Sequence, residues 1–280
     1  MTYCLGIINR FGIVLAADSR TNAGVDYIST YNKLFDFSLP GERAIIICTS
    51  GNLSITQGVI NRLNWDIETQ EELNIHSLPN MYEVTRYIGS KLRQIQDQDR
   101  PWLERDRIDF NCSLLVGGQI RRKDPQRDED PQRDEDPQRD EDPQRDEDPQ
   151  LYLIYTQGNF IKATLETPFL QIGETKYGKP ILDRTLTYDM PLEAVAKCAL
   201  LSIDSTMKSN ISVGPPINLV MYEAGTFMTR QKLQLRLGDP YLAKIRKLWE
   251  DSLRRAFESM PNIEWQHPVE DNQQEDILID

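Results

Sequence analysis

The chain has 280 residues, 39% of them hydrophobic, and a formal net charge of −12. That length fits one large domain or two small ones, no run approaches the ~20 apolar residues of a membrane span, and no basic patch points to nucleic acid. Most of the acidity sits in one stretch: residues 124–150 hold 13 acids and 4 bases, and without them the net charge is only −3.

Two apolar runs open the chain, "YCLGII" and "GIVLAADSR", split by "NRFG" in a hairpin pattern with Gly12 at the turn. "NKLFDF" and "RAIIICTS" read as two further strands. After Gly51, the spacing of Ile55, Val59, Ile60, Leu63 and Ile67 predicts an amphipathic helix, and "MYEVTRYIGSKLRQIQDQ" predicts a second. "DFNCSLLVGGQI" and "LYLIYTQGNFIKATL" are strands, the latter folded at "TQGN". "PLEAVAKCALLSIDSTMKS" predicts a helix with Pro191 in its first turn, "INLVMYEAGTFMTRQKL" a hairpin around "EAG", and "DPYLAKIRKLWEDSLRRAFESM" a helix starting at Asp239 and Pro240. Blocks of antiparallel strands alternating with blocks of helices predict a layered α+β domain over residues 1–260. It is interrupted at 121–150 by the "DPQRDE" repeat and followed by an acidic tail, 261–280. With Pro at every sixth position and almost no apolar residues, the repeat cannot bury surface and is expected to be disordered and functionally neutral. Its acids lack the Gly and the spacing of an EF-hand calcium loop.

Cys4, Cys48, Cys112 and Cys198 are scattered and form no C-x-x-C pair, and no basic-plus-apolar leader opens the chain. Reduced, buried thiols in a cytoplasmic protein are therefore expected, with no cofactor and no metal site. The two histidines, His76 and His267, lie in a loop-like segment and in the polar tail, so a histidine-based triad is not expected. A hydrolase needs another base. Thr2 supplies one if Met1 is removed, because a free α-amine on the same residue can take the proton of its hydroxyl. A methionine before a small residue such as Thr suits such trimming.

The stretch "TYCLGIINRFGIVLAADSR", a following "KLF" strand and "CTSGN" opening a helix resemble proteasome-type β subunits. With "DSRTNAGVDYISTYNK" the resemblance narrows to Anbu, the bacterial proteasome-related family, and it covers nearly the whole chain outside 121–150 and the tail. It implies a four-layer αββα N-terminal nucleophile (Ntn) hydrolase fold. It also implies Thr2 as nucleophile, Lys33 as its companion, Asp18 as the partner of Lys33, and Arg20 as support for that network. An ammonium beside the hydroxyl stabilises alkoxide and lowers the amine's proton affinity. The oxyanion donor is expected at a backbone N–H near the end of the "IIICTSG" strand, and counting back from Gly51 points to Cys48. Two positions depart from the proteasome pattern. Glu174 stands where a Ser is usual after the Gly of an "I-G-S-G" turn, and Ser209 stands in the place of the Asp of an Asp-x-x-Ser loop, with Ser212 as its Ser. Glu174 is a candidate for the lost carboxylate.

The expected function is that of a threonine-type peptidase or amide hydrolase, active in a homo-oligomer (a ring or a helical stack) on a peptide or amide substrate. The apolar faces of the two central helices are candidate contacts between copies, although packing within the domain accounts for many of the same residues. A catalytically silent or highly selective scaffold is the alternative, and an acidic recruiting module built on the repeat is a third reading.

Overall fold

The computed structural model describes residues 2–22, 28–122 and 148–265. Met1, most of the repeat and the end of the tail lie outside them. Seventeen elements follow in order: β1 (Tyr3–Asn9), β2 (Gly12–Asp18), β3 (Arg20–Asn22), β4 (Ile28–Thr30), β5 (Leu34–Asp36), β6 (Arg43–Gly51), α1 (Leu53–Glu68), α2 (Met81–Arg105), β7 (Cys112–Ile120), β8 (Gln150–Ile154), β9 (Phe160–Lys162), β10 (Phe169–Gly173), α3 (Lys179–Thr185), α4 (Leu192–Ser209), β11 (Ile217–Glu223), β12 (Gln231–Leu235) and α5 (Pro240–Glu258).

They form two five-stranded antiparallel sheets, ordered β10-β1-β2-β11-β12 and β5-β6-β7-β8-β9, and a small β3-β4 ribbon. The apolar runs at the N-terminus form the expected hairpin, and β1 and β2 are almost wholly buried. Cys4, Leu15, Ala17, Ile46, Cys48 and Leu115 pack between the two sheets. On the outer face of the second sheet, Ile55, Val59 and Leu63 of α1 and Val84, Ile88 and Leu92 of α2 meet Ile45, Ile47 and Val116. On the outer face of the first, α3 and α4 bring Leu182, Val195, Ala199 and Ile203 against Leu5, Ile7, Val14 and Leu219.

The helix starts agree with the sequence signals. Asn52 caps α1 by accepting from the N–H of Ser54 and Ile55, and Asp239 caps α5 through Tyr241 and Leu242. Three features depart from the expectation. α2 runs on through Pro101 to Arg105. The β11–β12 pairing stops at Met221 and Gln231, so the connection is longer than a turn around "EAG". The short β3, β4, β10 and α3 elements carry too little periodicity to stand out in the sequence. The apolar faces of α1 and α2, proposed above as contacts between copies, are instead used inside the protomer. All four cysteines are free and buried, and burial pushes the thiols of Cys112 and Cys198 up, to about 12 and about 11, and that of Cys48 well above its ordinary value. Those three are not poised as thiolates.

Candidate active site

The candidate residues come together where β1 starts and β2 ends. Antiparallel pairing sets Cys4 opposite Ala17 and Asp18 opposite Ile217, so Asp18 lies at the end of the sheet beside the first strand. Its side chain is fully buried. Oδ1 accepts from the Lys33 ammonium at 2.9 Å and from the Tyr3 N–H at 3.0 Å; Oδ2 accepts from the N–H of Arg20 at 3.2 Å and of Gly214 at 3.1 Å. Lys33, at the entrance to β5 and buried as well, also donates to the Arg20 carbonyl at 2.5 Å. One carboxylate oxygen thus holds both the lysine and the residue that follows Thr2. Burial raises the Asp18 carboxyl above its ordinary value, against the opposing pull of the Lys33 ammonium and the N–H groups of Tyr3 and Gly214.

Arg20 fastens the loop on the far side. Its guanidinium donates to the Ile211 carbonyl at 2.7 Å and lies on Gly214, where a Cβ would come within 2.4 Å of Cζ. Only glycine allows that approach. The Gly214 carbonyl in turn accepts from Ser19 and Arg20, both at 3.2 Å.

Thr2 is half-buried, and its carbonyl accepts the Glu174 N–H at 2.7 Å. Gly173 turns the chain there with φ +84°; a Cβ at this position would lie 2.0 Å from the Thr2 oxygen and 3.0 Å from the Ser50 hydroxyl. The far end of β6 therefore comes up to Gly173, the residue packed on the Thr2 carbonyl, at Ser50 and beyond Cys48.

That register overturns Cys48 as the oxyanion donor. Backbone amides along a strand point alternately to its two neighbours. Thr49 N–H bonds the Lys33 carbonyl on the β5 side at 2.9 Å, while Asn52 N–H bonds Asn111 on the β7 side at 2.7 Å. The Cys48 amide faces β7, where Leu115 is its partner in register, and its thiol lies between the sheets with its pKa raised by burial. Gly51 shares the edge of Thr49, past the first residue of β5. A count along the sequence cannot see that alternation.

Ser209 is corrected too. It is exposed at the last position of α4, and among the described residues its side chain makes no hydrogen bond. The next residue reaches the site instead. Asn210 donates from Nδ2 to Glu174 Oε2 at 3.1 Å and accepts the Ser212 N–H on Oδ1 at 3.0 Å. Nothing in the sequence marks Asn210 apart from its place at the end of a helix. Tyr3 was missed as well. Its hydroxyl sits 2.6 Å from Ser202 Oγ and accepts from Gln171 at 2.7 Å, and Ser202 donates to the Gly178 carbonyl at 3.0 Å. The residue after Thr2 thereby ties down both flanks of the Glu174 loop. Burial pushes the Tyr3 phenol up to about 12, so it stays a neutral hydrogen-bonding group.

The chain resembles solved structures along nearly its whole length. Anbu (ancestral beta-subunit) from Yersinia bercovieri is 39% identical, with 95% of this chain and 100% of that chain covered and a TM-score of 0.81. This chain belongs to the Anbu family. Anbu from Pseudomonas aeruginosa, solved as the helical assembly of the Anbu complex, is 40% identical over 94% of this chain and 98% of its own, also with a TM-score of 0.81. A Gly-1 mutant of Anbu from Hyphomicrobium sp. strain MC1 is 38% identical over 95% and 100%, with a TM-score of 0.79. No protein-family model matches the chain, and no curated protein does. The fold is accordingly a mixed α+β, proteasome-related one. Among the described residues, no helix is long and apolar enough to cross a membrane.

Proposed function

We propose that this Anbu protein is a cytoplasmic N-terminal threonine hydrolase of peptide or amide bonds, with the four-layer αββα Ntn arrangement, and that it works in a homo-oligomer after Met1 is removed. The observation that carries the reading is the shared oxygen of Asp18, which fixes the Lys33 ammonium beside the residue next to Thr2. In this scheme the Thr2 hydroxyl attacks the amide carbonyl and passes its proton to its own α-amine, directly or through one water. Lys33 favours the alkoxide. The Gly51 N–H, on the open edge of β6 beside Ser50, takes the oxyanion role first expected of Cys48. Collapse of the tetrahedral intermediate breaks the C–N bond, and the α-ammonium returns the proton to the leaving amine. An ester to Thr2 remains, and water hydrolyses it. Arg20 and Ser212 shape the loop that closes on Asp18.

Oligomerisation is supported by the helical assembly of the Pseudomonas aeruginosa relative and by α5. That helix buries only Leu242, leaving Leu248, Leu253 and Phe257 exposed, an apolar face of the kind that marks protein contacts.

Incubation with a peptide epoxyketone, read by intact mass, tests the scheme. That warhead closes its ring only with a hydroxyl and a free α-amine on one residue. The expected result is a chain lacking Met1 with one adduct on Thr2, absent from Thr2→Ala. A trimmed oligomer that takes no adduct sinks the hydrolase reading in favour of a scaffold.

A further inference from the structure

Among the described residues, Glu174 is a buried carboxylate without a cation. Its Oε1 accepts the Lys176 N–H at 3.1 Å and its Oε2 accepts Asn210 Nδ2 at 3.1 Å, both from neutral donors. Only 8% of the residue is exposed, and among the described residues no Lys, Arg or His lies within ion-pair distance of it. A carboxylate withdrawn from water to this degree is ordinarily paired with a positive charge, because two neutral hydrogen bonds recover only part of its lost hydration. Its own N–H is bonded to the Thr2 carbonyl at 2.7 Å, so the loop is stapled to residue 2 itself. The orientation of the Asn210 amide is set by its neighbours: Oδ1 is taken by the Ser212 N–H, which turns Nδ2 toward Glu174. Its backbone N–H bonds Thr206 at 2.8 Å, fixing it to the end of α4.

We propose that Glu174 is the counter-ion of the α-ammonium that Thr2 carries once it is N-terminal, and that Asn210 is the positioning residue that aims it. This rests on the proposed role of Thr2 as a trimmed N-terminus. Removal of Met1 then completes a charge pair in addition to exposing a nucleophile. The charged groups around the amine act in opposite senses. Lys33, from the start of β5, and Arg20, packed on Gly214, disfavour the ammonium; Asp18 on β2 is already shared with Lys33; Glu174, on the loop after β10, favours the ammonium. Glu174 therefore sets the pH at which the amine becomes free to act as a base.

The test measures the α-amine itself and needs no substrate. Full-length trimmed oligomer is treated with limiting acetic anhydride across a pH series, and the acetylated Thr2 peptide is quantified by mass spectrometry. The wild-type midpoint is the reference for the variants. Glu174→Gln is expected to lower it by about one pH unit, Glu174→Asp to keep most of it, and Asn210→Ala to move it part of the way. Should Glu174→Gln fail to fold, Asn210→Ala and Glu174→Asp carry the comparison. Equal midpoints in the wild type and the variants, with Met1 absent, overturn this inference and leave the proposed hydrolase standing. An intact mass that retains Met1 overturns both.

Discussion

Asp18 and Asp66 are both fully buried aspartates facing a lysine, yet their carboxyl groups are displaced in opposite directions. Asp18, between the sheets, has one cation and three backbone N–H groups, and burial prevails and raises it. Asp66, between α1 and α2, is also penalised by burial, but the side chains around it prevail and lower it. Lys91 Nζ lies 2.8 Å from Oδ2, where the Tyr87 hydroxyl also donates, and Arg62 Nε approaches Oδ1 at 2.9 Å. The difference lies both in how heavily burial weighs on each carboxyl and in the number of charged partners around it. A buried carboxylate served mostly by backbone amides stays strained, which suits a site that must exchange charge. One wrapped by two cations and a phenol serves as a fixed clamp for a helix hairpin.

The largest expected effect breaks the first pair. Lys33→Ala leaves Asp18 charged and unmatched, at a cost of about 3–5 kcal/mol in urea unfolding. Because the cost comes from the orphaned charge, the double variant Asp18→Asn/Lys33→Met should recover more than half of it. A double variant no more stable than Lys33→Ala breaks the comparison.

The second test separates the two centres by pH. A carboxyl lowered in the folded state contributes stability that is present above its unfolded value, about 3.9, and is lost as pH falls through the folded value. Asp66 is of that kind. Asp18 is raised, so its contribution has the opposite sign: the folded state is favoured by protonation and loses stability as pH rises through the folded value. Asp66→Asn should therefore flatten the stability profile below about pH 4, whereas Asp18→Asn should act above about pH 4, where it removes a gain on acidification and steepens the loss. Parallel acid limbs for the two variants contradict the assignment.

The smallest effect sharpens the account of Asp66. Tyr87→Phe removes one donor and leaves both cations, and a hydrogen bond to a charged group contributes about 1.5–3 kcal/mol. The acid limb should move toward neutral pH while the helices stay paired. An unmoved limb makes the phenol irrelevant to the carboxyl.

Asp18 and Lys33 were implied by the family resemblance, and the structure joins them in one hydrogen-bonded pair. Arg20 donates to the Ile211 carbonyl, on the loop that leads to Gly214. Cys48 and Ser209 failed for a shared reason, since both came from counting positions while strand parity and the point where a helix ends decide which way a group faces. Asn210, Ser50 and the Tyr3 network were out of reach because their partners lie on β10, α4 and other elements distant in the chain.

The order of residues by itself pointed to an apolar hairpin at the start of the chain and to helices opening after Gly51 and at Asp239, and the family resemblance singled out Thr2, Asp18 and Lys33. Local propensity suffices for the hairpin and the helices. Which amide faces an open edge, which carboxylate is left without a cation and which loop closes on residue 2 were decided only when two sheets packed together. Those properties depend on pairing between residues more than a hundred positions apart, such as Tyr3 with Gly173 and Asp18 with Ile217.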